Sequence, residues 1–550
     1  MTAAAPQVRM RWLWLAAALL MLAEFLVFDR MTSRYHASVY PRWTDQGQYL
    51  TEAYTACQVM QDHGLWAGLK STFVKPALQG TLHDFFAVLV FWVAGSPSRS
   101  AVLSLNMLAL LVWQGALFAI IPRVSGSRTL GWMAFGLVLC VAWPWSVDAG
   151  SAVDFRLDHG AMCLLGLTAT LALLTDGFRA TSWSLAFGLA AAVTLLERFL
   201  TGVYFATIFA AGTIWILCGD ARGPRLRNLF LAGLIMALLA GPVFWFNRTS
   251  IYNYYWVGHM ASADADARAA TMGFWPSAQY VFGYLGRLQL GAWFGWTAAA
   301  LTVPLIIAAV AAPRKPAPPV DRNWLFFALA FLVLPAAVLC LHRQKSFYVL
   351  GILVPGVILL VAWVWFALWR RIDFAATRVW PRFLPATLSL AAVAAGGGYF
   401  LQRQLTPPHS AQFAAGVARI NQVADYLFTT SRRAGLSQPR YAVDIQNDYF
   451  YPRTMTVLCY ERQKQWVNFD PMLPVGIVEE KDEFIMERLR QSDFILLTDV
   501  LNENGFYPYD RQMRRLYPVV KAWCEANLRH VEAFPIFNRQ MSLYQRRDLP

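Results

Sequence analysis

The chain of 550 residues is 57% hydrophobic, 15% aromatic and only 15% charged, with a mean hydropathy of +0.39. Soluble domains carry about 25% charged residues, so this composition excludes an ordinary soluble protein and points to repeated membrane spans. The net charge of +14 is no nucleic-acid footprint: residues 402–550 are near balance (19 Lys/Arg, 17 Asp/Glu), and the excess lies in residues 1–401 (28 against 16), mostly in short loops between apolar runs.

The first apolar run, 12–28, follows Arg9 and Arg11 and leads into Asp29-Arg30-Met31 with no small-residue cleavage site. That predicts a retained helix rather than a signal peptide. Ten more runs follow, at roughly 101–121, 129–147, 160–175, 182–196, 199–218, 228–246, 284–311, 324–341, 346–369 and 384–401, for about 11 transmembrane helices. With the N-terminus inside, the tail and segments 122–128, 176–181, 219–227, 312–323 and 370–383 are cytoplasmic. Together they hold 15 Lys/Arg against four acids, whereas the opposite side of residues 1–401 holds 13 against 12. This positive-inside asymmetry fixes the orientation of the chain in the inner membrane.

Residues 81–94 (TLHDFFAVLVFWVA) are apolar but only about 14 long, and they carry His83 and Asp84. That length suits an interfacial helix better than a span, and a crossing there would reverse the charge bias of every later loop. Residues 29–100 are therefore expected to form one large periplasmic loop with helices lying on the membrane surface. After residue 401 the character changes. Short β-type runs at 441–445, 494–498 and 541–544 alternate with helical stretches near 412–434, 479–491 and 508–528. The reading is an α-helical polytopic membrane module, 1–401, followed by a periplasmic soluble α/β domain, 402–550. The latter has no Gly-rich phosphate loop or nucleotide fingerprint.

The seven cysteines show no CxxC pair and no metal-ligand spacing. Cys140, Cys163, Cys218 and Cys340 lie in or beside apolar runs, as packing residues do. Cys459 and Cys524 fall in the soluble part, where a disulfide between them stands as an alternative to two packed thiols.

Ionisable groups at the ends of membrane helices are costly to hold there and are candidates for function. Asp45, in Arg42-Trp43-Thr44-Asp45-Gln46, begins a helical stretch, where an acid is ordinarily a cap. Asp148, Asp154, Arg156, Asp158 and His159 cluster between the third and fourth spans, with Asp158 opening an apolar run. Capping is again the ordinary role, and a carboxylate pair of Asp45 with Asp158 facing one outer cavity is the functional one. Lys75, Arg198 at the junction of spans five and six, and Lys345 with His342 and Arg343 are basic groups on the same face. Pairing of Arg198 with Glu197, or with lipid, accounts for each singly, whereas three such sites together suggest a pocket for an anionic headgroup.

These residues, in this order, carry a likeness. The chain resembles the GT-C superfamily of lipid-linked-sugar glycosyltransferases, and within it the bacterial lipid A aminoarabinose transferases and protein O-mannosyltransferases. The match rests on Asp45 with Tyr49; on Phe73-Val74-Lys75-Pro76-Ala77-Leu78; on Leu157-Asp158 followed by Arg198; and on Lys345 and Tyr348 with Pro355. A weaker echo is His259-Met260 followed by Phe274-Trp275-Pro276. The likeness covers residues 10–370. Gln46 stands where many members have a second acid, and Arg198 where members often have Lys.

The resemblance implies a GT-C-type fold and transfer of a sugar from a polyprenyl-phosphate donor, with inversion, to an envelope acceptor such as lipid A, a glycan or a protein. It assigns Asp45 and Asp158 as catalytic and Lys75, Arg198, Lys345 and Arg343 to the donor phosphate. It places Tyr49, His259, His342 and Tyr348 around substrate. It names no resident cofactor, leaves a divalent cation open, and implies membrane lipid but no nucleic acid as partner. The rivals are a lipid-linked-sugar flippase or other transporter, for which paired repeats would speak and none is found, and a structural subunit of a polymerase complex.

Overall fold

The computed structural model describes residues 5–36, 44–74, 77, 79–261, 272–311, 321–343, 345–372, 380–407, 410–437, 439–443, 452–464, 466–472, 481–499, 508–536 and 539–549. Lys75 lies outside the described residues, and so does the side chain of His259.

Eight helices are long and apolar enough to cross a bilayer: Arg11–Tyr35, Arg99–Ser125, Leu157–Thr175, Arg222–Gly258, Phe274–Ala311, Arg322–Leu341, Phe347–Trp369 and Phe383–Leu405. The other three expected spans are the shorter apolar helices Arg128–Leu139, Thr181–Glu197 and Thr201–Leu217. The protein is thus a multi-pass membrane protein. The third expected span is the one the structure shortens. Its helix stops at Leu139, and the chain then turns through a tight Trp143–Trp145 turn opened by Pro144. Trp145 Nε1 donates to the Leu139 carbonyl at 3.0 Å, satisfying an acceptor at the helix end. Two tryptophans in a turn had made the apolar run read as continuous.

With no hydrophobic drive between helices in lipid, close packing of small residues holds the bundle. Where Arg128–Leu139 crosses Trp380–Leu405, a Cβ on Gly136 would stand 2.2 Å from the Ala392 carbonyl oxygen, and one on Gly396 2.2 Å from that of Gly136. Backbone therefore meets backbone. At one end of the bundle the basic turns are tied together. Arg225 Nε donates to Gly177 O at 2.7 Å, Arg179 pairs with Asp220 at 2.7 Å, and Asn323 Nδ2 donates to Asp176 at 3.0 Å.

The opposite end carries α1 (Thr44–His63), α2 (Leu65–Val74) and α3 (Leu82–Ala94). At about 1.5 Å per residue, the 13 residues of α3 span roughly 20 Å, short of a bilayer's hydrocarbon core. The helix is two-faced: His83, Asp84, Ala87, Val88 and Phe91 are buried, while Trp92 and Val93 are exposed.

The C-terminal region is a three-layer α/β/α unit. Its sheet has the order β2-β1-β3-β5-β4, with β1 Arg440–Val443, β2 Asn468–Pro471, β3 Phe494–Thr498, β4 Leu528–Ile536 and β5 Arg539–Arg546. The pairings β1–β2 and β1–β3 are parallel; β3–β5 and β4–β5 are antiparallel. Side chains alternate across it as strand geometry requires. Tyr441, Val443, Phe494 and Leu496 pack under the helices Ala411–Arg433 and Pro452–Gln463, whereas Ala442, Ile495 and Leu497 pack under Asp482–Gln491 and Pro508–Asn527. Cys459 belongs to the first layer and Cys524 to the second; both are buried with the sheet between them, so the disulfide alternative falls.

Candidate active site

The site lies at the end of the bundle that carries α1, where five segments meet. The first turn of α1 supplies Asp45, and the loop after Trp145 supplies Asp154 and Arg156. The first turn of the Leu157–Ala172 helix supplies Asp158, the junction after Glu197 supplies Arg198, and the 3₁₀ turn Phe347–Leu353 supplies Tyr348. Both acids at helix starts are where a cap is expected, yet their carboxylates turn to guanidinium groups instead.

Arg156 is the hub. Its Nη1 stands 2.9 Å from Asp45 Oδ2 and its Nε 3.3 Å from Asp158 Oδ2 and 3.8 Å from Asp154 Oδ2. The face of the Tyr348 ring lies under it, 4.5 Å from Cζ. Asp158 then reaches Arg198, with Oδ1 2.5 Å from Nη1. The result is an alternating chain, Asp45–Arg156–Asp158–Arg198. Three of its members are buried, and Asp45 is 43% exposed in its side chain. Burial alone disfavours both guanidinium charges; the surrounding carboxylates more than offset it and hold both protons above the usual arginine range. Arg198 Nε has no hydrogen-bond partner among the described residues, and Nη1 meets Asp158 without the direction of a hydrogen bond. A buried donor left in that state is ready for an anionic ligand.

Gly150, at φ +79°, lets the loop close over this chain: a Cβ there would lie 3.1 Å from Asp158 Cβ and 3.2 Å from Tyr348 Cβ. Four residues on, Asp154 accepts from Gly150 N at 2.6 Å. Burial pushes its carboxyl up to about 7, against the pull of Arg156 and of that N–H. The native state then keeps a proton that the unfolded chain has lost. Stability should fall as pH rises from the ordinary carboxylate range to about 7 and level off above it. Asp154→Asn is expected to flatten that fall, a difference of a few degrees in midpoint between pH 5 and 8 by thermal unfolding in detergent. Parallel profiles for the two proteins would contradict it.

Around the chain, Tyr49 donates to Gln79 Oε1 at 2.7 Å, and Gln79 Nε2 donates to Tyr254 Oη at 2.5 Å. Glu197 does not pair with Arg198 as its neighbourhood in sequence suggested. It faces His83 Nδ1 on α3 at 3.1 Å instead.

The structure thus brings together Asp45, Asp158, Arg198 and Tyr348, with Tyr49 beside them. Lys345 is elsewhere engaged: its ammonium donates to the carbonyls of Leu339, Cys340 and His342 at 3.0, 2.9 and 2.6 Å, closing the end of the Arg322–Leu341 helix. His342 and Arg343 form the half-buried turn between them. Lys345, expected at the donor phosphate, caps a helix end in this structure. Asp158, expected as catalytic, is buried and pairs with both Arg156 and Arg198. Arg156 was the residue missed as a hub; its sequence signal was a cation set between Asp154 and Asp158 at the head of an apolar run.

Among solved structures, the chain is similar to ArnT from Cupriavidus metallidurans in the apo state, with a TM-score of 0.57 at 14% identity, covering 98% of this chain and 98% of that one. It is also similar to the same protein bound to undecaprenyl phosphate, with a TM-score of 0.56 at 13% identity, covering 97% and 98%. No family model and no curated protein matches the sequence. At these identities the likeness establishes the fold alone: a membrane helix bundle carrying a small α/β domain, as in those structures.

Proposed function

We propose that the chain is a glycosyltransferase that takes a sugar from a polyprenyl-phosphate donor and gives it to a cell-envelope acceptor (lipid A, a glycan or a protein) on the periplasmic face of the inner membrane. The observation that carries this is the chain Asp45–Arg156–Asp158–Arg198, with an exposed carboxylate at one end and an under-bonded buried guanidinium at the other. The GT-C fold, shared with a protein crystallised with undecaprenyl phosphate, supports the choice of donor.

Each end has its own task. Arg198 takes the donor phosphate and is strongest where negative charge grows on the leaving oxygen. Asp45 orients or deprotonates the acceptor, which attacks the anomeric carbon from the side opposite the phosphate and inverts it. Arg156 and Asp158 hold the two ends in register and keep the buried charges compensated. Polyprenyl phosphate leaves into the membrane between the helices. Lys75 remains assigned to the same phosphate, and His259 to substrate, by family likeness.

Mass spectrometry of envelope glycolipids from cells with and without the protein tests this reading. Loss of one sugar modification with accumulation of its lipid-linked donor is expected; identical glycolipid profiles would contradict it.

The periplasmic placement has a separate test. Ser96, exposed beyond α3, and Ser437, exposed in the C-terminal unit, should both react with an impermeant maleimide in intact cells after replacement by Cys. Ser98 is unsuited because it caps the Arg99–Ser125 helix, accepting from Ala101 N. Protection of Ser96→Cys alone would mean that α3 crosses the membrane.

A further inference from the structure

α1, which carries Asp45 in its first turn, does not rest on the membrane bundle alone. The Pro452–Gln463 helix of the C-terminal unit, here α4, lies along it. The face of α1 at positions 47, 50, 54 and 57 follows helical spacing, and all of it is turned toward α4. Leu50, Ala53, Tyr54 and Cys57 share a buried cluster with Val457 and Tyr460. A Cβ on Gly47 would come within 3.2 Å of Thr454 N and 3.3 Å of Arg453 Cβ, so the two helices approach tightly beside the residue that follows Gln46.

Polar contacts fix the register. Tyr54 Oη donates to Glu461 Oε1, and Trp466 Nε1 donates to Gln58 Oε1. Burial pushes the Glu461 carboxyl up, a cost that an interface serving only adhesion has no need to carry. On the other flank, Arg99 Nη2 donates to Gln46 Oε1 at 3.3 Å and Nη1 to His36 O at 2.9 Å. Three successive residues are thus held by three different bodies: Asp45 by Arg156, Gln46 by Arg99, and Gly47 by α4.

We infer that the C-terminal α/β unit is a positioning part of the transfer site, setting the placement of Asp45 through the α1–α4 contact. The inference rests on the proposed transferase reading and deepens it. The unit acts on the acceptor side only. Arg198 is paired with Asp158 at the head of a membrane helix. Displacing α1 should therefore slow transfer without loosening the donor, since a shift of about 1 Å at a catalytic group can cost on the order of 10²-fold.

The test uses the full-length purified chain and three variants. Gly47→Val wedges α1 from α4. Tyr54→Phe strips the hydrogen bond from Glu461. Glu461→Gln keeps an acceptor for Tyr54 and serves as the conservative control. Three readouts are taken: turnover with polyprenyl-phosphate sugar, affinity for undecaprenyl phosphate, and amide hydrogen exchange of α1. Gly47→Val and Tyr54→Phe should lose α1 protection and about ten-fold in kcat, with undecaprenyl-phosphate affinity within two-fold and Glu461→Gln near wild type. Lost α1 protection with unchanged kcat would overturn the inference, reducing α4 to an anchor. A fall in lipid affinity matching the fall in kcat would also overturn it, because the disturbance would not be confined to Asp45. A wild-type chain that binds undecaprenyl phosphate and transfers nothing would overturn the transferase reading instead.

Discussion

Replacing Asp45 with Asn should cut turnover by about 10²-fold or more, the usual scale for loss of a general base, while donor affinity stays near wild type. Asp45 is the one exposed member of an otherwise buried ion chain, so the substitution removes the carboxylate that an acceptor can reach. The amide still offers an oxygen to Arg156 Nη1, and Arg156 keeps Asp158 beside it, so the fold and the donor end should persist. Single-turnover transfer and lipid binding on one preparation separate the two effects. Near-wild-type transfer by Asp45→Asn would remove the acid from the mechanism and favour a transporter.

Arg198→Ala should weaken donor binding by about 10- to 100-fold, since a charge-assisted contact to phosphate is worth roughly 1.5–3 kcal/mol. If the contact tightens as the phosphate departs, kcat/KM should fall further than affinity. Part of the loss will come from Asp158, which keeps Arg156 as partner but loses its second guanidinium. Arg198→Lys restores charge at the same place and should be mild. Lys345→Ala gives the contrast: its ammonium closes a helix end, so thermal stability should drop while lipid affinity changes little. Equal binding by wild type and Arg198→Ala would place the phosphate elsewhere.

The membrane helices were legible because bilayer thickness writes itself into the length of apolar runs, and α3 was legible as a short apolar helix. The sheet was only partly so. β3 is buried on both faces and read clearly as FILLT, but β2 is four residues with Asn468, Asp470 and Pro471, offering no alternation. β4 is a partly exposed edge strand, which accommodates Arg529, Glu532 and Pro535. α4 escaped notice because seven consecutive residues, Thr454 to Tyr460, are buried between the sheet and α1, leaving no amphipathic period.

In the site, the ionisable residues could be named from their places at helix ends, but not their partners. Arg156 joins Asp45 and Asp158 from positions 111 and two residues away in sequence, and only the folded bundle brings them together. Lys345 shows the converse: a cation at a membrane helix end has two uses, ligand or cap, and local sequence is the same for both.

The central claim is that the buried Asp45–Arg156–Asp158–Arg198 chain serves transfer from a lipid phosphate rather than passage of a lipid. Its most direct test is release of free polyprenyl phosphate. Polyprenyl-phosphate sugars extracted from cells lacking the protein, together with their envelope lipids, are incubated with purified wild type or Asp45→Asn in detergent, where no membrane sides exist to be crossed. The account predicts that wild type releases polyprenyl phosphate with matching gain of sugar on an acceptor, and that Asp45→Asn releases about 10²-fold less. Donor left intact by the wild-type protein, despite binding undecaprenyl phosphate, would contradict it.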